Sequence, residues 1–156
     1  MAKLKRKQEN NKLSKLDVKM KCLFMNEHDT ILFSFKYLTN QDNYNLKGFK
    51  GSRNFRDDID VLNAFHDCLN RMSIDGWESL RSKNKFQGGR ELLDYSQINF
   101  NALDPQNELN LARDTKVWVI RFGGNKYRLI GYRSKKCKAI FHIFGIDHDF
   151  SAYKHS

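Results

Sequence analysis

The chain has 156 residues, with a formal net charge of +10 and 29% charged residues. That length suits one domain and leaves no room for two independent cores. No apolar run approaches the ~20 residues that would span a bilayer, and no apolar core of a signal peptide follows the basic N-terminus. The positive excess is concentrated in two blocks. Residues 1–25 hold eight basic against two acidic groups, and residues 116–138 hold eight basic and no acidic ones. Such asymmetry points to an anionic partner, with nucleic acid ahead of a membrane surface or an acidic protein.

In chain order, residues 1–16 (MAKLKRKQENNKLSKL) are lysine-rich and lack an apolar face, which predicts a basic arm outside the fold. A single domain is expected over 17–156. Val18, Met20, Cys22 and Phe24 alternate against Lys19 and Lys21, and after the Asn26–Asp29 turn Ile31, Phe33, Phe35 and Tyr37 alternate with Leu32, Ser34, Lys36 and Leu38, so a β-hairpin is expected. Phe55, Ile59, Leu62, Phe65, Leu69 and Met72 recur at helical steps and predict a first helix with that stripe as its core face. Asp57, Asp58 and Asp60 suit its N-terminal turns. A second, shorter helix is expected from Ser73 or Asp75, carrying Trp77 and Leu80 inward. Residues Glu91–Ile98 read equally as strand or helix. The polar stretch 99–115 reads as a long loop, of the kind that is often functional.

The chain closes with three strand-like runs, Val117–Phe122, Tyr127–Arg133 and Ala139–Phe144. The turns Gly123-Gly124-Asn125 and Ser134-Lys135-Lys136 would join them as an antiparallel meander. The expected fold is therefore α+β, a small antiparallel sheet with two helices packed on one face. Cys22, Cys68 and Cys137 show no metal or redox spacing and read as reduced thiols of a cytoplasmic protein. One proline beside fifteen asparagines suggests an A/T-rich bacterial or phage source.

The chemistry-bearing residues lie late in the chain. Arg121, Arg128 and Arg133 sit on the meander, and Tyr127 and Tyr132 adjoin the latter two. A guanidinium fork can grip a phosphate, and an aromatic ring can stack a splayed base. Lys126, Lys135, Lys136, Lys138 and Lys154 extend the nucleic-acid-binding set. His142, His148 and His155 titrate near neutrality and can move a proton in phosphodiester cleavage. Asp147, His148 and Asp149 alternate sides in an extended segment and make a poor metal cage, so no metal and no cofactor is expected. The aspartates serve equally well as caps of a terminal turn. Solvated strand arginines on a half-exposed sheet would be the plain structural reading of the basic meander.

The order of strand, helices and a meander reading VWVIRF, YRLIGYR and AIFHIF resembles the RelE/HigB-like ribonuclease toxins over about residues 29–156. The resemblance implies helices on one face of a small sheet and metal-independent RNA cleavage on the other, with an acidic antitoxin or host protein as a further partner. It matches Arg121 and Arg128 to phosphate-gripping arginines, and Tyr153 or His155 to the C-terminal acid, base or stacking residue. The catalytic set it suggests is Arg128, His142, Tyr153 and His155. The chain departs from the pattern in its length, in the 99–115 segment and in its ending, FGIDHDFSAYKHS. That ending resembles the FHI-G-D-DFSAY-H signature of an uncharacterised bacterial and phage family. A non-catalytic nucleic-acid or nucleoprotein binder, acting in phage–host conflict, is the alternative.

Overall fold

A computed structural model describes residues 30–51 and 55–154. The basic arm 1–16, the expected strand Val18–Phe24 and His155 lie outside the described residues.

Five strands form one sheet in the order β1-β5-β4-β3-β2. They are β1 (Leu32–Ser34), β2 (Arg90–Asp94), β3 (Lys116–Phe122), β4 (Tyr127–Arg133) and β5 (Ile140–Asp147). The meander is present, and β5 runs three residues beyond its expected end. The sheet is mixed, which corrects the antiparallel expectation: β2 to β5 pair antiparallel, but β1 runs parallel to β5, with Leu32 opposite Ile140. Only Leu32–Ser34 of the expected strand 31–38 is extended, because Lys36 and Tyr37 turn the chain away. Glu91–Ile98 resolves into the end of β2 and a single tight turn at Tyr95–Gln97.

The expected pair forms one helical run, α1 (Phe55–Ser82). It is broken at Gly76, whose φ of +71° suits a residue without Cβ. The break turns Trp77 and Leu80 into the core, as the expected second helix would have done. The buried stripe is Val61, Phe65, Cys68 and Met72, while Ile59 and Leu62 face outward. Both stripes have helical periodicity; the one with the wider apolar run beyond it, through Trp77 and Leu80, meets the sheet. Trp77 packs edge-on against Trp118 at 5.3 Å and tilted against Phe141 at 6.2 Å.

Each face of the sheet carries its own core. On the helical face Trp118, Ile120, Phe122, Leu129, Phe141, Ile143 and Ile146 meet α1. On the other face Val117, Val119, Ile130, Tyr132 and Phe144 are covered by Phe100, Ala152 and Tyr153, with Tyr95, Ile98, Leu109 and Leu111 at the margin. The 99–115 segment is therefore a second cover for the sheet, an outcome that polar composition alone does not reveal. A bulge between Ile130 and Gly131 of β4 leaves Phe144 unmatched in β5, so that Ile143 and Ile146 both face α1. Cys68 is a free buried thiol, as expected, but Cys137 is disulfide-bonded, which corrects the reading of all cysteines as reduced.

Candidate nucleic-acid interface

Alternation along β3 and β4 decides where each basic residue points. Ile120, Phe122 and Leu129 face α1, so Arg121 and Arg128 share the opposite face, and they are direct cross-strand partners. Two like charges placed opposite each other destabilise a sheet unless each finds its own partner. Here each guanidinium lies over a phenyl ring: Arg121 over Phe86 at 4.5 Å, and Arg128 over Phe150 at 4.8 Å. Arg121 also donates to Glu91 Oε2 at 3.3 Å. Arg128 is only 3% exposed and donates to the carbonyls of Asn125 at 2.6 Å and Tyr127 at 3.0 Å, which ties it to the β3–β4 turn.

Both rings remain open to solvent, Phe86 at 59% and Phe150 at 46%. Phe150 is thus a platform, held with φ +64° at a turn. That turn is built by the aspartates: Asp147 Oδ1 accepts from Ser151 N at 3.1 Å, and Asp149 Oδ1 accepts from Ser151 N at 3.2 Å. Capping is the role these contacts give them. Among the described residues no group of His, Cys, Asp and Glu side chains is arranged to hold a metal ion. The anchors of the tail are Ala152 and Tyr153, both buried, with Asn99 N donating to Ala152 O at 2.7 Å.

Tyr153 lies beside Arg128. Burial pushes its phenol above the usual range, and the neighbouring Arg128 cation only partly offsets this. Glu91 sits between Arg121 and Lys85, with Lys85 Nζ at 3.0 Å from Oε1. Burial raises its carboxyl, but the two cations outweigh that and leave it below the ordinary value. Lys85 Nζ also lies 5.6 Å from the Phe86 ring. Lys126, on the β3–β4 turn, and Lys154, just after Tyr153, are exposed.

The other expected site residues are elsewhere. Arg133 points to the helical face, over Trp77 at 4.4 Å, and its Nε donates to Lys138 O at 2.8 Å. Lys135, Lys136 and Lys138 are exposed on the β4–β5 turn, at the far end of β4 and roughly 20 Å from Lys126 at the usual strand rise. His142 pairs in register with Tyr132, four residues along β4 from Arg128, which separates them by about 13 Å. It lies edge-on to Tyr37 at 4.9 Å, and burial, helped by Lys36, holds its imidazole below the usual pKa. His148 faces the helical side, against Phe49 at 4.8 Å, with Nε2 at 3.2 Å from Asn45 O. The expected catalytic set is therefore divided: Arg128 and Tyr153 meet, His142 does not join them, and His155 lies outside the described residues.

Sequence reading missed Phe86 and Glu91. A single phenylalanine in the polar run Arg81–Gly89 was the available signal, since an isolated aromatic in such a turn has no helix or strand face to serve. The chain matches no protein-family model, no curated protein and no solved structure. Among the described residues no helix is long and apolar enough to cross a membrane.

Proposed function

We propose that the protein binds single-stranded nucleic acid, RNA in the first instance, at the end of the sheet formed by the β3–β4 turn and the C-terminal tail. The observation that carries this reading is the pair of exposed phenyl rings, each backed by an arginine from one of two adjacent strands. Single-strand binders combine aromatic rings that stack bases with cations that track the phosphates. Phe86 and Phe150 supply the rings. Arg121, Lys126 and Lys154 supply cations, and the buried Arg128 fixes the geometry of Phe150. Lys135, Lys136 and Lys138 add long-range attraction from the far end.

The test is fluorescence anisotropy of a labelled oligouridylate across a salt series. Engaging about three phosphates predicts a slope of log affinity on log salt near −2, from about −0.7 per phosphate on a single strand. Phe86→Ala should weaken binding about 5- to 150-fold, the equivalent of the 1–3 kcal/mol that stacking a base contributes. Affinity indifferent to salt and to Phe86 would remove the proposal.

Metal-independent RNA cleavage is a second reading, favoured by the Tyr153 phenol lying beside the Arg128 guanidinium. Arg128 would stabilise charge on the phosphate and Tyr153 would move a proton. Both side chains are almost fully buried, which favours binding over cutting. Cleavage of the oligonucleotide in EDTA, lost in a folded Tyr153→Phe variant, would reverse that preference.

A further inference from the structure

Beside the Arg121–Phe86 stack lies a cleft of ≈400 Å³ between α1, the loop before β2 and the β3–β4 turn. That volume is in the usual range for small-ligand pockets. Arg71 of α1 and Arg121 of β3 both line it. Arg71 uses one N–H on Gly88 O at 2.8 Å, and its second terminal nitrogen meets only Cys68 Sγ, at 4.0 Å. None of the described ion pairs involves Arg71. The Nε of Arg121 is buried with no hydrogen-bond partner. Two arginines from different elements thus line one space, and Arg71 keeps N–H donors that no oxygen engages.

The walls keep the space clear. Gly88 has φ +87°, and a Cβ there would lie 2.3 Å from Arg71 Nη1, so any side chain would displace the fork. A Cβ at Gly124 would meet nothing within 4 Å, which leaves the mouth open on that side. The carboxylate in the lining, Asp67, has a side chain 79% exposed and sits 3.5 Å from His66. Ala64 and Cys68 of α1 also line it. A terminal phosphate monoester suits such an arginine-lined cleft beside Phe86. It carries more charge than an internal diester and has three oxygens to meet two forks.

We propose that this cleft takes the terminal phosphate of a single-stranded nucleic acid whose end base stacks on Phe86, an inference that rests on the binding reading above. The test measures anisotropy with three RNAs of one sequence: 5′-phosphorylated, 3′-phosphorylated and hydroxyl at both ends. A nucleoside monophosphate is titrated separately by calorimetry. One phosphorylated end should bind about tenfold tighter than the hydroxyl form, the usual scale for added charge-assisted hydrogen bonds. The two phosphorylated arms identify which end is read. Arg71→Gln should abolish the preference. Asn125→Asp should do so without relying on Arg71, because aspartate tolerates the φ of +67° at this position and brings a negative charge to the mouth. Equal affinity for all three RNAs, or a preference that survives both substitutions, overturns the cleft and leaves the binding reading standing. Monophosphate binding that depends on Arg71, with no RNA bound, supports the cleft and ends that reading. No binding of either overturns the proposal.

Discussion

Truncating Tyr153 to alanine tests whether the tail is a structural part of the sheet. The ring is 5% exposed and packs in the non-helical core with Ile130, Tyr132 and Phe144. Removing a buried aromatic of this kind costs about 3–5 kcal/mol. The lower end applies here, because backbone anchors survive: Asn99 Nδ2 donates to Ser151 O at 2.6 Å, and the Tyr44 and Ser151 hydroxyls are 2.9 Å apart. At about 2–4 °C per kcal/mol for a chain of this size, the melting midpoint should fall by about 6–12 °C. Tyr153→Phe keeps the packing, so its midpoint should fall by no more than about 2–4 °C. Differential scanning calorimetry of the two variants reads both values. Because Phe150 and Lys154 ride on the same segment, Tyr153→Ala should also weaken nucleic-acid binding well below its melting point. A midpoint for Tyr153→Ala within about 2 °C of the parent protein would refute the docked tail, since it would leave no room for a buried aromatic.

Asp147 is almost wholly buried, and burial holds its carboxyl above the usual range despite hydrogen bonds from the tail backbone. A raised folded-state pKa favours the protonated form, so this group's contribution to stability is fully present below the ordinary carboxylate pKa and is lost as pH rises through the folded value. Urea midpoints measured across that window should fall with pH, and Asp147→Asn should flatten the slope. His142 has the opposite sign: its depressed pKa means stability is lost as pH falls below about 6.5, and His142→Gln should reduce that loss in the same titration. Gly145 faces the Phe100 ring so closely that an added Cβ would lie 2.3 Å from it. Gly145→Ala should therefore destabilise by about 1–3 kcal/mol through overpacking, measured by the same urea melts. An unchanged midpoint would mean that Phe100 does not cover the sheet.

Much of the fold was legible where apolar periodicity and turn chemistry agreed. Period two around Gly123–Asn125 and Ser134–Lys136 located β3 and β4 to within a residue. The helix was equally plain, but its core face was not. Ile59 and Leu62 compete with Val61 and Cys68 at the same period, and only the sheet decides between them. The parallel pairing of β1 was hidden because three residues carry no register signal. The second cover, 99–115, was hidden because Phe100, Leu109 and Leu111 are spread through polar sequence with no period. For the site, the charge of the meander was visible, but alternation sends Arg133 to one face and Arg128 to the other. That fact follows from strand parity and could have been read in advance. Phe86 stood out as an isolated aromatic in a polar run, but its partner did not, because the contact with Arg121 spans 35 residues and depends on the edge loop wrapping past β2.

The most direct test of the central claim is photocrosslinking of single-stranded RNA carrying 5-bromouridine, followed by mass spectrometry of the joined peptides. Bases stacked on aromatic rings should place the crosslinks on Phe86 and Phe150, and Phe86→Ala should remove the first while leaving the second. Crosslinks confined to the β4–β5 turn around Lys135 and Lys136, or none at all under conditions where RNA is bound, would contradict the interface described above.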